Sequence, residues 1–191
     1  MNIPASSIQL PNFFINCNGR LVDLNTPKIM GILNLTPDSF SDGGKFNNEK
    51  SALLHAEKLL KDGADFIDIG AQSTRPNAEY LSAEEEIRRI GNVISLIKKE
   101  FPEALISIDT FYADVVKFGY NEGMDVVNDI SGGYFDENLL PTVAETKLPY
   151  ILMHSNSTYQ NMHEKIHYED IIVSLNYSFS KKINELQKLG I

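Results

Sequence analysis

The chain has 191 residues, 42% of them apolar, and a formal net charge of −9. That length accommodates one globular domain with a real core, and the acidic balance argues against nucleic acid or an anionic membrane surface as a partner. The single cysteine, Cys17, excludes an internal disulfide and a cysteine-based zinc site, in keeping with a reducing cytoplasm.

The opening segment, MNIPASSIQLPNFF, lacks a basic stretch followed by a long apolar core, so no secretory signal is read there. No apolar run approaches the roughly 20 residues that span a bilayer. The first predicted element is a β-hairpin: FFIN and RLVDL flank Cys17-Asn18-Gly19, and Asn-Gly favours a tight primed turn. After Pro27 short apolar runs alternate with longer segments of helical period. The runs are KIMGILNL, ADFIDIGA, ALISIDT, DVVNDI and PYILMH. In the first helical segment Ala52, Leu53, Ala56, Leu59 and Leu60 form one stripe, which Gly63 stops. SAEEEIRRIGNVISLIKKEF reads as a second helix, with Ser82 and Glu85 at capping-box spacing and Ile87, Ile90, Ile94 and Ile97 on one face. Two further helical segments separate the later runs, and a last one, YEDIIVSLNYSFSKKINELQKLGI, closes the chain. Alternating strand and helix implies parallel strands joined by crossovers, in a single domain over 1–191.

Each apolar run carries or meets hydrogen-bonding residues at its end: Asn34, Asp68 with Gln72-Ser73-Thr74-Arg75, Asp109-Thr110, Asn128-Asp129 and His154. In a parallel sheet these ends share one side. They converge on one mouth in a βα-barrel, or spread along an edge in an open doubly wound sheet. A lone Asn or Asp after a strand is usually a turn former or cap, whereas five such ends in succession point to a site. Asp68, between Ile67 and Ile69, reads as a buried structural acid. Asn128 and Asp129 are adjacent, so only one of them faces a barrel interior. His163 and His167 stand at i,i+4 spacing without a recognisable third ligand, which reads as a solvated or capping pair.

GILNLTPDSFSDGG from Gly31, DIGAQSTRP from Asp68, ISIDT from Ile106, VVNDISGG from Val126 and YILMH from Tyr150 resemble, in order and approximate spacing, the motifs of dihydropteroate synthases of the pterin-binding superfamily. The resemblance implies a (β/α)8 TIM barrel with a hairpin capping its bottom. It implies condensation of 6-hydroxymethyl-7,8-dihydropterin diphosphate with 4-aminobenzoate, in an enzyme with which sulfonamides interfere. It also implies Mg²⁺ as cofactor, with Asn34 as a metal ligand, Asp38 and Asp42 as catalytic residues on a lid loop, and Thr74 and Arg75 on the diphosphate. Asp109 and Asn128 would bind the pterin ring, and Met153 would either pack on the ring or belong to the core. Small-molecule substrates are the implied partners, and a homodimer the implied assembly of the full-length family.

Two features depart from the family pattern. After His154 the chain reads SNSTYQNM, without the usual Gly and Thr-Pro. The motifs expected on the sixth, seventh and eighth strands are not found, so the expectation is an incomplete barrel of about five βα units, truncated at its C-terminal side, with two unpaired edges and no activity in isolation. A non-catalytic pterin-binding module is the alternative. A pterin-dependent methyltransferase is disfavoured, because methyl transfer needs no diphosphate-metal loop.

Overall fold

The computed structural model describes residues 13–35, 45–72, 81–155 and 167–191. The hairpin forms as expected: β1 (Phe14–Cys17) pairs antiparallel with β2 (Arg20–Asp23), and Asn18 and Gly19 both take positive φ, 50° and 92°, as a primed turn requires. Five parallel strands follow: β3 (Met30–Asn34), β4 (Phe66–Gly70), β5 (Leu105–Asp109), β6 (Val126–Asp129) and β7 (Tyr150–Leu152). The helices are α1 (Lys45–Lys61), α2 (Ala83–Ile90), α3 (Val93–Glu100), α4 (Ala113–Glu122), α5 (Leu139–Thr146) and α6 (Ile171–Leu189).

The strands lie in chain order, β3-β4-β5-β6-β7. An open doubly wound sheet would reverse direction at a switch point, so the order decides for the barrel type. Among the described residues the barrel is partial, with β3 and β7 each paired on one side only. Ile32 on β3 and Ile151 on β7 are accordingly exposed at 60% and 39%.

Strand alternation sorts the residues by face. Leu33, Ile67, Ile69, Ile106, Ile108 and Val127 point outward and pack in one cluster with Ala52 and Ala56 of α1, Ile90 of α2, Ile94 and Ile97 of α3, Val115 and Val116 of α4 and Val143 of α5. Each fully buried Ile or Leu contributes roughly 2 kcal/mol, so this layer is the main source of stability. At the bottom of the inner face, Met30, Phe66, Leu105 and Val126 form a second cluster with Ile15, Cys17 and Val22 of the hairpin, which plugs the barrel floor. Burial there pushes the Cys17 thiol up to about 11.

The segment read as one long helix is two. Gly91, at φ 50°, closes α2, and α3 starts at Val93 while keeping Ile94 and Ile97 on the buried face. The N-terminal signal of α2 holds: Ser82 Oγ accepts from Glu85 N at 3.3 Å. Asp170 caps α6 by accepting from Val173 N at 3.0 Å.

Candidate active site

Registered strands place inward-facing residues in rows. The lowest row reads Met30, Phe66, Leu105 and the next Ile32, Asp68, Ser107, Val126. The uppermost reads Asn34, Gly70, Asp109, Asn128, Ile151. Three residues distant in sequence, Asn34, Asp109 and Asn128, thus meet at the C-terminal face of the sheet, where catalytic groups of βα-barrels gather.

Gly70 opens the row. A Cβ there would stand 3.2 Å from Asn34 Oδ1 and 3.8 Å from both Cβ and Oδ2 of Asp109. The missing side chain leaves a gap between an amide oxygen and a carboxylate. Asp109 is half-buried, and its pKa rises to about 7, first through burial and then through the neighbouring charges of Asp68 and Asp129. No cation offsets it among the described residues. Asn128 Nδ2 donates to Asp68 Oδ2 at 3.1 Å.

Asp129 turns away from this row, as the pleat requires. It is buried on the helix side, where it accepts from Ser131 N at 2.6 Å, Gly133 N at 2.7 Å and the Tyr150 hydroxyl at 2.5 Å. It therefore shapes the Gly132-Gly133 turn, and burial first and the Asp129 carboxylate second push the Tyr150 hydroxyl above its ordinary pKa. Met153 is partly exposed beside Gly132, whose Cβ would lie 3.0 Å from the Met153 carbonyl oxygen. His154, the polar end of the fifth run, does not join the row: its ring meets Ser178 Oγ at 3.0 Å and the Tyr168 hydroxyl at 3.4 Å, on and before α6. Asp38, Asp42, Thr74, Arg75 and His163 lie outside the described residues.

A second buried acid sits behind the row. Glu86 of α2 is fully buried, accepts from Thr110 Oγ1 at 2.9 Å, and is pushed up to about 7 by burial. Gln72 Oε1 accepts from Leu81 N at 3.2 Å and the Tyr112 hydroxyl donates to Leu81 O at 2.6 Å, so both flanks of the 73–80 segment are anchored. Sequence reasoning passed over Gly70 and Glu86. The signal for Glu86 was present: it precedes Ile90 by four residues and so continues the buried stripe.

Comparison with known proteins places this geometry. The family model described as pterin binding enzyme matches residues 30–191, most of the chain. The chain belongs to the pterin-binding enzyme family. It is 40% identical over 174 residues to the dihydropteroate synthase of Haemophilus influenzae, covering 91% of this chain and 62% of that relative. The corresponding Escherichia coli enzyme is 39% identical over 173 residues, with 91% and 61% covered. The chain spans only 34% of the folate synthesis bifunctional protein of Arabidopsis thaliana, at 42% identity over 168 residues. Among solved structures it superposes with a TM-score of 0.84 on the dihydropteroate synthase of Yersinia pestis in a sulfonamide drug complex, at 38% identity, covering 94% of this chain and 64% of that one. It also matches the Xanthomonas albilineans dihydropteroate synthase with 4-aminobenzoic acid, at TM-score 0.84 and 33% identity, covering 95% and 63%. This pterin-binding family member therefore has the barrel type of those enzymes and spans under two thirds of their length.

Proposed function

We propose that the chain serves dihydropteroate synthesis, the step of folate biosynthesis that joins a pterin diphosphate to 4-aminobenzoate. The observation that carries this reading is the row Asn34–Gly70–Asp109–Asn128: an uncompensated carboxylate and an amide, side by side at the strand ends, in a chain whose relatives are dihydropteroate synthases. A carboxylate beside an amide suits the edge of an aminopyrimidine ring, which offers N–H donors next to an acceptor nitrogen. In the reaction the amine nitrogen of 4-aminobenzoate bonds to the pterin methylene carbon. The carbon–oxygen bond to diphosphate breaks, pyrophosphate leaves with the electron pair, and the nitrogen gives up a proton.

Asn34 is the described residue suited to Mg²⁺, because its amide oxygen borders the Gly70 gap. One neutral oxygen matches an ion that takes its other ligands from substrate phosphate and water. When bound, the ion supplies positive charge to the departing diphosphate. In the same reading Thr74 and Arg75 bind the diphosphate, Asp38 and Asp42 serve as catalytic residues, and Met153 packs on the pterin face. Location in the cytoplasm and assembly as a homodimer belong to this reading as well. The single buried thiol accords with the first, and the motif resemblance carries the second.

The test is product formation. The purified chain is given pterin diphosphate, 4-aminobenzoate and Mg²⁺, and dihydropteroate and pyrophosphate are measured, with Asn34→Ala and Asp109→Ala alongside. Pterin affinity should fall at least about 100-fold in Asp109→Ala, the loss expected when a charged acceptor to two donors is removed. Pterin binding without product supports the pterin site and is the outcome of a catalytically incomplete barrel or of a pterin-binding module. Absence of both binding and product overturns the reading.

A further inference from the structure

Asp68 is more than a buried acid in a strand. It lies in the row beneath Asp109 and Asn128, is 8% exposed, and has Ile32 and Ser107 as register neighbours. One carboxylate oxygen, Oδ2, accepts from Asn128 Nδ2 at 3.1 Å. The other, Oδ1, is buried and meets no partner among the described residues. An acid retained only for packing would be expected to have both oxygens satisfied or paired with a cation. Here the one bond made is to the amide that borders the candidate pterin site.

An Asn side chain reads a ligand edge differently according to its sense, because a half-turn of the amide exchanges its donor and acceptor. A carboxylate oxygen only accepts, so it draws Nδ2 toward itself and turns Oδ1 away. We propose that Asp68 is a positioning residue that fixes the sense of the Asn128 amide and thereby sets which ring edge the site accepts. This rests on the pterin reading above. In that frame the fixed amide, with Oδ1 and the remaining Nδ2 proton, matches a ring nitrogen beside an exocyclic amine. It mismatches a ring N–H beside a carbonyl, where donor and acceptor are exchanged.

Two pteridines differ at the N1–C2 edge alone: 2-amino-4-oxopteridine presents a ring nitrogen beside an amine there and 2,4-dioxopteridine a ring N–H beside a carbonyl, while the N3–H/C4=O edge is common to both. Their dissociation constants are measured by fluorescence on the whole chain and on Asp68→Asn. The wild-type chain should favour the 2-amino compound at least tenfold. Asp68→Asn offers either partner to Asn128, lets the amide turn, and should reduce that preference about tenfold, with the dioxo compound gaining affinity. A folded Asp68→Asn protein whose preference stays within twofold of wild type overturns the role of Asp68 and leaves the pterin reading standing. A wild-type chain that binds neither pteridine removes the pterin reading itself, and this inference with it. If Asp68→Asn fails to fold, the wild-type protein still decides: one Asn128 Nδ2 proton should exchange at least tenfold more slowly than its geminal partner. Equal rates overturn the proposal.

Discussion

The two ends of the sheet treat their carboxylates in opposite ways. At the N-terminal end, Asp65 accepts from Ile29 N at 2.8 Å and meets Lys28 Nζ at 3.2 Å, which together hold its pKa below the ordinary value. Asp125 repeats the device two strands on: it accepts from Ile106 N at 2.7 Å and from Lys98 Nζ at 2.5 Å. Each acid precedes its strand, ties it to the start of the strand before, and is matched by a lysine. At the C-terminal end, Asp109 has only like charges around it, and Asp68 Oδ1 and Ser107 Oγ find no partner among the described residues. The lower end is satisfied internally, while the upper end holds unmet acceptors that a donor-bearing ligand would satisfy. Stability is built at one end and binding capacity is kept at the other.

Removing a paired acid should therefore cost the most. Asp125→Ala breaks a nearly buried ion pair and strips an acceptor from Ile106 N, and should destabilise the chain by about 3 kcal/mol in urea unfolding. The folded fraction should keep its pterin affinity. The opposite sign is expected at the upper end. Asp109 has a folded pKa of about 7 against an ordinary 3.8, so between those values the native state holds a proton that the unfolded chain has released. Its contribution to stability falls as pH rises from about 4 to 7, and stays low above that. Asp109→Asn should be about 2 kcal/mol more stable than wild type at pH 8, equal to it at pH 4, and weaker in pterin binding. Equal stability at both pH values would remove the contrast between the two ends.

Much of this was legible in the residues. The hairpin and the parallel βα alternation follow from the turn signal and from the runs and helices, and the polar strand ends pointed to a site. The barrel order and the choice of Asn34, Asp109 and Asn128 came with the motif resemblance, because the pattern alone fits an open sheet as well. The pleat also settled that Asn128 and Asp129 part company. Two things were hidden because they depend on packing across elements. Gly91 splits a continuous apolar stripe without altering its period, so the pattern of Ile90, Ile94 and Ile97 reads the same for one helix or two. Gly70 matters through the atoms a side chain would strike, Asn34 Oδ1 and Asp109 Oδ2, which only register brings together. Asp68 was readable as buried, but its bond to Asn128 spans two strands and leaves no local trace.

The smallest effect tests whether the unmet groups are equivalent. Ser107 is fully buried, and its hydroxyl lies in the same row as Asp68. An unsatisfied hydroxyl costs more than the apolar hydrogen that would replace it, while losing one oxygen opens very little space. Ser107→Ala should accordingly stabilise the chain by about 0.5 kcal/mol and leave pteridine affinity within twofold. Unfolding in urea, run with and without 2-amino-4-oxopteridine, reads both quantities from one set of samples. Destabilisation instead would mean that the hydroxyl has a bonding partner in solution. If the ligand's added stabilisation also disappeared, that partner would belong to the binding site, and the upper end would bind through two rows of the barrel.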